Sequence, residues 1–185
     1  MIQLHDAVRA KIPLMKAFVA GLVIGLIAVP LFAFLYVYLG FAPVATAAPP
    51  FPLERKLASM ALRARVNKDV AGITAEPAND QGLFAGAKLY REHCAVCHGL
   101  PGQPETPTAK GMYPPPPQLF HGHGVTDDPV TETYWKVTNG IRLTGMPAFG
   151  ALSNTERWQV SQMLKNADKL PETAKALLAQ PASAR

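Results

Sequence analysis

The stretch REHCAVCHGL, residues 91–100, contains both cysteines of this 185-residue chain. Cys94 and Cys97 are separated by two residues, and His98 follows the second cysteine directly. Two thiols and an imidazole therefore lie within one short segment, and all three groups bind metals or form covalent bonds. Because the chain has no other cysteine, whatever the thiols do is decided within this segment.

A Cys-x-x-Cys-His run is typical of covalent haem c attachment. Each thiol adds to one vinyl group of the haem, and the histidine is held beneath the iron as an axial ligand. Three interpretations compete: a thioredoxin-like redox pair, half of a zinc site, and a disulfide. A thioredoxin-like pair favours a βαβ context and does not need the histidine. A zinc site usually needs a second ligand pair at similar spacing, and the sequence contains none. The segment therefore favours haem attachment.

The second axial position of the iron needs its own candidate. Met146 lies in a Gly-Met-Pro turn between two predicted helices, where a proline-stiffened loop can hold a thioether in a fixed place. His/Met ligation fills both axial positions and raises the reduction potential, which is typical of an electron carrier. Met112 and the pair His121 and His123 are the competing ligands. Core packing is the alternative for Met146, and an exposed loop is the alternative for the two histidines.

With these motifs in order, residues 82–168 resemble a class I cytochrome c domain. The shared order is a helix ending in the Cys-x-x-Cys-His run, a Pro-rich loop, a helix, a methionine loop and a last helix. The resemblance implies an all-α domain wrapped around one covalently attached haem c. It implies thioethers at Cys94 and Cys97, His98 as the proximal ligand, Met146 as the distal ligand, and a proton-accepting carbonyl in the run 113–119, which we assign to Pro117.

The same resemblance implies several supporting contacts. Trp135 and Arg142 flank the haem in the family-like arrangement and are candidate donors to a haem propionate. The alternatives are an interior aromatic ring and a solvated guanidinium. The contact between the first and last helices is expected to involve Gly86 and Tyr90, with Trp158 or Met163 opposite.

Local signals predict three helices in this domain, at residues 82–96, 129–139 and 154–166. Asp128 is the expected N-cap of the second helix, and Gly140 fits the position just past its end. Ser153 and Glu156 form a capping box at the start of the third.

An uncharged apolar run from Ala17 to Leu39 is long enough to cross a membrane as a helix. Basic residues precede this run, and the first basic residue after it is Arg55. Because basic flanks of a membrane helix favour the cytoplasmic side, residues 1–16 are expected in the cytoplasm, residues 17–40 in the membrane, and the rest outside. A cleaved signal peptide is the alternative, because Ala45-Thr46-Ala47 offers a cleavage site.

Residues 41–81 are predicted to be a linker that carries a juxtamembrane helix at about 53–66. That helix either docks on lipid headgroups or a partner subunit, or is a solvated spacer. Residues 169–185 are expected to be a tail.

Charge distribution and these motifs together define the expected function. The net charge is +5, and residues 1–70 account for it with eight Lys or Arg and three Asp or Glu. The remainder is balanced, so nucleic-acid binding is not expected.

We expect a one-electron carrier, not an enzyme, tethered by its membrane helix, with its haem domain on the periplasmic face of a bacterial inner membrane. Its expected partners are membrane lipid and redox proteins of a respiratory or photosynthetic chain: a quinol-oxidising complex, a terminal oxidase or a reaction centre. Membership of a larger complex is a further option. The rivals are a catalytic or gas-sensing haem protein with an open sixth position, and a chiefly structural subunit.

Overall fold

The computed structural model describes residues 2–120 and 126–181, and among residues 2–14 it describes the backbone alone. The chain divides into two compact units, Met1–Pro49 and Pro50–Arg185. The described residues are helical and contain no β-strand, which confirms the predicted all-α class.

The first unit contains one long helix, α1, which spans Ile2–Tyr38. Its segment Met15–Tyr38 is apolar and long enough to cross a membrane. The apolar segment agrees with the run predicted from the sequence. The helix itself extends further towards the N-terminus, because residues 2–16 continue it without a break in the backbone.

The described residues of the second unit form seven further α-helices. Their bounds are α2 Glu54–Val70, α3 Asp80–Leu89, α4 Ala95–His98, α5 Pro107–Lys110, α6 Val130–Asn139, α7 Asn154–Lys165 and α8 Glu172–Ala179. A π-helical segment, Tyr90–Cys94, joins α3 to α4. The predicted helix 82–96 is therefore three consecutive pieces, and the ends of the other predicted helices differ from the observed ends by four residues or fewer.

Capping residues explain two of these helix starts. The predicted capping box is present at α7, where the Glu156 carboxylate accepts the Ser153 N–H at 2.7 Å and the Ser153 hydroxyl accepts the Glu156 N–H. The Ser153 hydroxyl and, to a smaller extent, the Ser153 N–H donate to the Glu156 carboxylate and hold its pKa below the usual value. Asp128 does not cap α6: Pro129 occupies the N-cap position, and the Asp128 carboxylate lies 3.7 Å from the Lys136 ammonium. Asp128 therefore pairs with a cation about two turns along α6 and does not cap the first turn.

The core lies where α3 crosses α7. A Cβ added at Gly86 would lie 2.7 Å from the carbonyl carbon of Gln159 and 2.8 Å from the Cβ of Met163, so this helix contact requires glycine. Met163 therefore lies opposite Gly86. The other expected candidate, Trp158, stacks on Tyr134 of α6 with ring centroids 4.1 Å apart. The buried core comprises Leu83, Ala87, Tyr90, Ala95, Leu100, Val137, Val160, Met163, Leu164, Leu170, Ala174 and Leu178.

Two segments expected to lie outside the domain pack within it. The last turns of α2 reach α6, where Val66 is buried and the indole N–H of Trp135 donates to the Asp69 carboxylate at 2.9 Å. In the expected tail, α8 packs on α3 through Ala174 and Leu178. Arg91 secures this C-terminal segment by donating to the carbonyls of Leu177, Gln180 and Pro181. The domain is therefore larger than residues 82–168, because short helices at both ends supply buried side chains.

Candidate functional site

The Cys-x-x-Cys-His segment lies at a break in helical geometry. Tyr90–Cys94 is a π-helical segment, α4 then continues to His98, and Gly99 ends the turn with φ of 72°. Single π-helical turns occur frequently at functional sites, because the added residue changes the direction of the side chains that follow. The helix from the core therefore delivers both cysteines and the histidine to one short turn.

The two thiols are half-buried and free, so no disulfide joins them. Burial, with a smaller effect of the neighbouring Cys97, raises the pKa of Cys94 to about 12. Burial also raises the pKa of Cys97. A thioredoxin-like pair needs a thiol whose pKa is lowered, so these environments do not favour a redox dithiol.

His98 is held through one ring nitrogen. Its Nδ1 lies 2.8 Å from the carbonyl oxygen of Pro117, and with the proton on Nδ1 the ring donates to that carbonyl. Burial lowers the pKa of His98, although the Pro117 hydrogen bond opposes this effect. A neutral imidazole with Nδ1 engaged keeps Nε2 as an electron-pair donor, which is the arrangement that suits a metal ligand.

Three side chains outside the motif hold its backbone carbonyls. The Tyr90 hydroxyl donates to Gly99 O at 2.8 Å, and the Thr106 hydroxyl donates to Val96 O at 2.6 Å. Gln118 donates its amide to Cys97 O at 3.4 Å. The last carbonyls of a helix lack partners within the helix, and these donors satisfy them at α4. Sequence reasoning missed Thr106 and Gln118. The Thr106–Pro107 pair, a capping signal for α5, was the available indication of an ordered turn there.

The Met146 loop is fixed against the end of α6. Gly140 has φ of 65°, and a Cβ there would lie 2.7 Å from Ala148 N and 2.8 Å from Met146 O. The Ile141 N–H donates to Met146 O at 3.2 Å, and the Met146 N–H donates to the Thr144 hydroxyl at 3.1 Å. These hydrogen bonds hold the backbone of Met146 in place, and its side chain is half-buried.

A second methionine lies beside this loop. The thioether methyl of Met112 is close enough to Gly145 that a Cβ on Gly145 would overlap it. Gly145 directly precedes Met146, so Met112 stays a genuine competitor for any ligand position near the loop. The other predicted competitors, His121 and His123, lie outside the described residues.

The two expected propionate donors have different surroundings. The Trp135 indole N–H donates to the Asp69 carboxylate at 2.9 Å, and its expected role as a propionate donor stays a prediction. Helix α2 supplies this carboxylate, and no signal in the sequence indicated that α2 would reach α6. Arg142 follows α6 in the turn that leads to the methionine loop, and its side chain is exposed.

Comparison with known proteins agrees with this arrangement. Residues 83–162 match a family model described as cytochrome c oxidase, cbb3-type, subunit III. This part of the chain is a cytochrome c domain. The cytochrome c domain and the apolar helix α1 together fit a membrane-anchored monohaem cytochrome c. A comparison with curated proteins gave no match.

The residues of the cytochrome c domain fit the haem c that such a domain binds covalently. Two unpaired, half-buried thiols lie in the same turn as His98, whose Nδ1 is hydrogen-bonded and whose Nε2 has no hydrogen-bond partner among the described residues. Nor does any cluster of three or more His, Cys, Asp or Glu within those residues form an alternative metal site. When bound, the haem supplies reversible one-electron oxidation and reduction of its iron.

Proposed function

We propose that this protein is a one-electron carrier whose single haem c is attached through Cys94 and Cys97 and ligated by His98 and Met146. The observation that carries this proposal is the contact between His98 Nδ1 and Pro117 O at 2.8 Å. It orients the imidazole, fixes its tautomer and makes Nε2 a stronger donor. An imidazole so constrained would stay bound to the iron in both oxidation states, which would keep the reorganisation that accompanies electron transfer small.

Met146 is proposed as the distal ligand because both of its backbone groups are hydrogen-bonded in a loop fixed at Gly140. With both axial positions filled, the protein exchanges electrons without binding a substrate at the iron. Arg142, exposed beside this loop, is proposed to lie near a propionate, where an arginine–carboxylate pair would be charge-assisted.

The experiment compares Met146→Ala with Met112→Ala in the haem-loaded full chain. If Met146 is the ligand, Met146→Ala lowers the reduction potential, removes the far-red absorption band expected of ferric His/Met haem, and lets the ferrous protein bind carbon monoxide. Met112→Ala then leaves all three properties close to those of the unchanged protein. The reverse pattern would assign the distal position to Met112, and rapid carbon monoxide binding by the unchanged protein would favour a catalytic or gas-sensing protein.

We further propose that the haem domain lies on the periplasmic side of a bacterial inner membrane, with residues 1–16 in the cytoplasm. The distribution of basic residues around α1 supports this orientation. Confinement to the membrane raises the effective concentration of the haem domain at its partners. Partners are redox proteins of a respiratory or photosynthetic chain, and the family description favours a terminal oxidase over a quinol-oxidising complex or a reaction centre.

Purification from native membranes in a mild detergent tests this assignment. Co-migration with the haem and copper subunits of an oxidase would support a role as an oxidase subunit. Migration as a lone species, together with rapid reduction or oxidation by separately added membrane complexes, would instead support a freely diffusing tethered carrier.

A further inference from the structure

Helix α2 has two apolar faces, and the domain covers one of them. The covered face consists of Leu62, Val66 and Val70, of which Val66 is only 1% exposed. The opposite face follows helical spacing through Leu57, Met60 and Ala64. Leu57 and Met60 are 61% and 57% exposed, and the same stripe begins at Leu53 just before the helix. This stripe of apolar side chains at helical spacing is therefore the face of α2 that the domain leaves uncovered.

Charge is distributed in a matching way around this uncovered face. Lys56 and Arg63 flank it on one side and Lys68 on the other, and none of the three forms a salt bridge with a described residue. The two acidic residues of α2 are engaged elsewhere: Glu54 accepts the Phe51 N–H, and Asp69 binds Arg65 and Trp135. An apolar stripe bordered by cations and free of carboxylates is complementary to an anionic lipid surface.

We propose that the outward face of α2, formed by Leu57, Met60 and Ala64 with flanking Lys56 and Arg63, lies against the anionic surface of the membrane. The apolar side chains enter the boundary between headgroups and acyl chains, and the long basic side chains extend to the phosphates. Residues 39–53 connect the apolar segment of α1 to α2, so the lipid surface is always within reach of this face. Because the opposite face holds α6 through Val66 and Asp69, lipid contact also restrains the haem domain.

The test uses Met60 as a native reporter in the haem-loaded full chain. Single copies are placed in nanodiscs of phosphatidylcholine alone or with phosphatidylglycerol, and hydroxyl radicals are generated by X-rays. Mass spectrometry then follows conversion of Met60 to its sulfoxide. We expect oxidation of Met60 to be about fivefold or more slower in the anionic discs, because each nearby basic residue favours the anionic surface by roughly that factor. Leu143, 91% exposed, serves as the internal standard with equal rates in both discs.

Charge reversal supplies the matched control. Lys56→Glu with Arg63→Glu should abolish the protection of Met60 in anionic discs. Lys88→Glu with Lys110→Glu makes the same charge change at exposed positions on α3 and α5 and should preserve it. Equal Met60 oxidation in the two lipids for the unchanged protein overturns the proposal. Protection that appears only in discs holding two copies also overturns it and points to contact between chains.

Discussion

At the scale of single residues, the candidate site depends on a histidine ring and a glycine whose conformations are restricted by neighbouring backbone. Nδ1 of His98 has Pro117 O as its partner at 2.8 Å, and burial of the ring keeps the imidazole neutral by lowering its pKa. Gly140 adopts φ of 65° and ψ of −174°, a region that residues with side chains disfavour. A Cβ added there would overlap the backbone from Met146 to Ala148. His98 and the loop of Met146 are thus each held by a contact with backbone.

Gly140→Ala tests this close approach. The new Cβ would overlap the Met146–Ala148 backbone and impose a disfavoured φ, so we expect a loss of roughly 1–3 kcal/mol from the conformation and a further loss from the overlap. Urea unfolding of the haem-loaded protein measures the loss, and the far-red band reports whether Met146 has moved. Gly150→Ala is the control, because a Cβ there meets nothing within 4 Å. Equal stability of the two variants would contradict the expected role of Gly140.

At the scale of elements, α2 joins the domain through a few contacts with α6. Val66 supplies buried apolar surface, while Asp69 accepts from Trp135 at 2.9 Å and from Arg65 at 2.8 Å. The Trp135 hydrogen bond, followed by Arg65, holds the pKa of Asp69 below its ordinary value of 3.8. The pKa of Asp69 is lowered in the folded state, so its carboxylate stabilises the α2–α6 contact fully when the pH is above the ordinary pKa. This stabilisation is lost as the pH falls through the lowered pKa of the folded state.

The pH dependence of α2 packing follows from this shift. Hydrogen exchange should show residues 62–70 protected near neutral pH and losing protection on acidification below the ordinary pKa of Asp69. Asp69→Ala should reduce protection already at neutral pH and remove most of the change with acid. Asp168→Ala, at an exposed position, should leave the profile unchanged. An identical profile for Asp69→Ala would mean that apolar packing alone holds α2.

At the scale of the whole molecule, the two units have separate tasks. Met1–Pro49 contains the apolar helix, whereas Pro50–Arg185 contains every residue proposed to contact the haem. The second unit has its own buried core, extended by α2 at one end and by α8 at the other. A core of this kind supports folding without the membrane helix.

Replacing residues 1–49 with a cleavable export signal tests that independence. We expect a soluble protein with the visible spectrum and reduction potential of the full chain, because no core residue is removed. Potentiometric titration of the two forms provides the comparison, with the full chain in detergent as the control. Failure of the shortened protein to retain haem would show that the first unit contributes to the domain's stability.

Local chemistry explains what could be predicted. The Cys-x-x-Cys-His run, the apolar helix, the Ser153 capping box and Gly140 at the end of α6 are each recognisable from adjacent residues, because each depends on side chains a few positions apart. The Pro117 assignment came from the family resemblance, and the sequence alone left four consecutive prolines as candidates. Thr106 and Gln118 were missed because hydroxyl and amide side chains are common, and their partners are backbone carbonyls that leave no mark in the sequence.

The sequence by itself determined the class of cofactor, the apolar segment and the order of the longer helices, because covalent chemistry and local periodicity do not depend on distant residues. Only the tertiary structure decided that Trp135 binds Asp69, that α8 belongs to the domain, and that α2 buries Val66 while exposing Leu57 and Met60. In α2 both faces carry apolar side chains, so periodicity alone could not indicate which one the domain would cover. That choice depends on the free energy of packing against α6, where Val66 and the hydrogen-bonded Asp69 fit together.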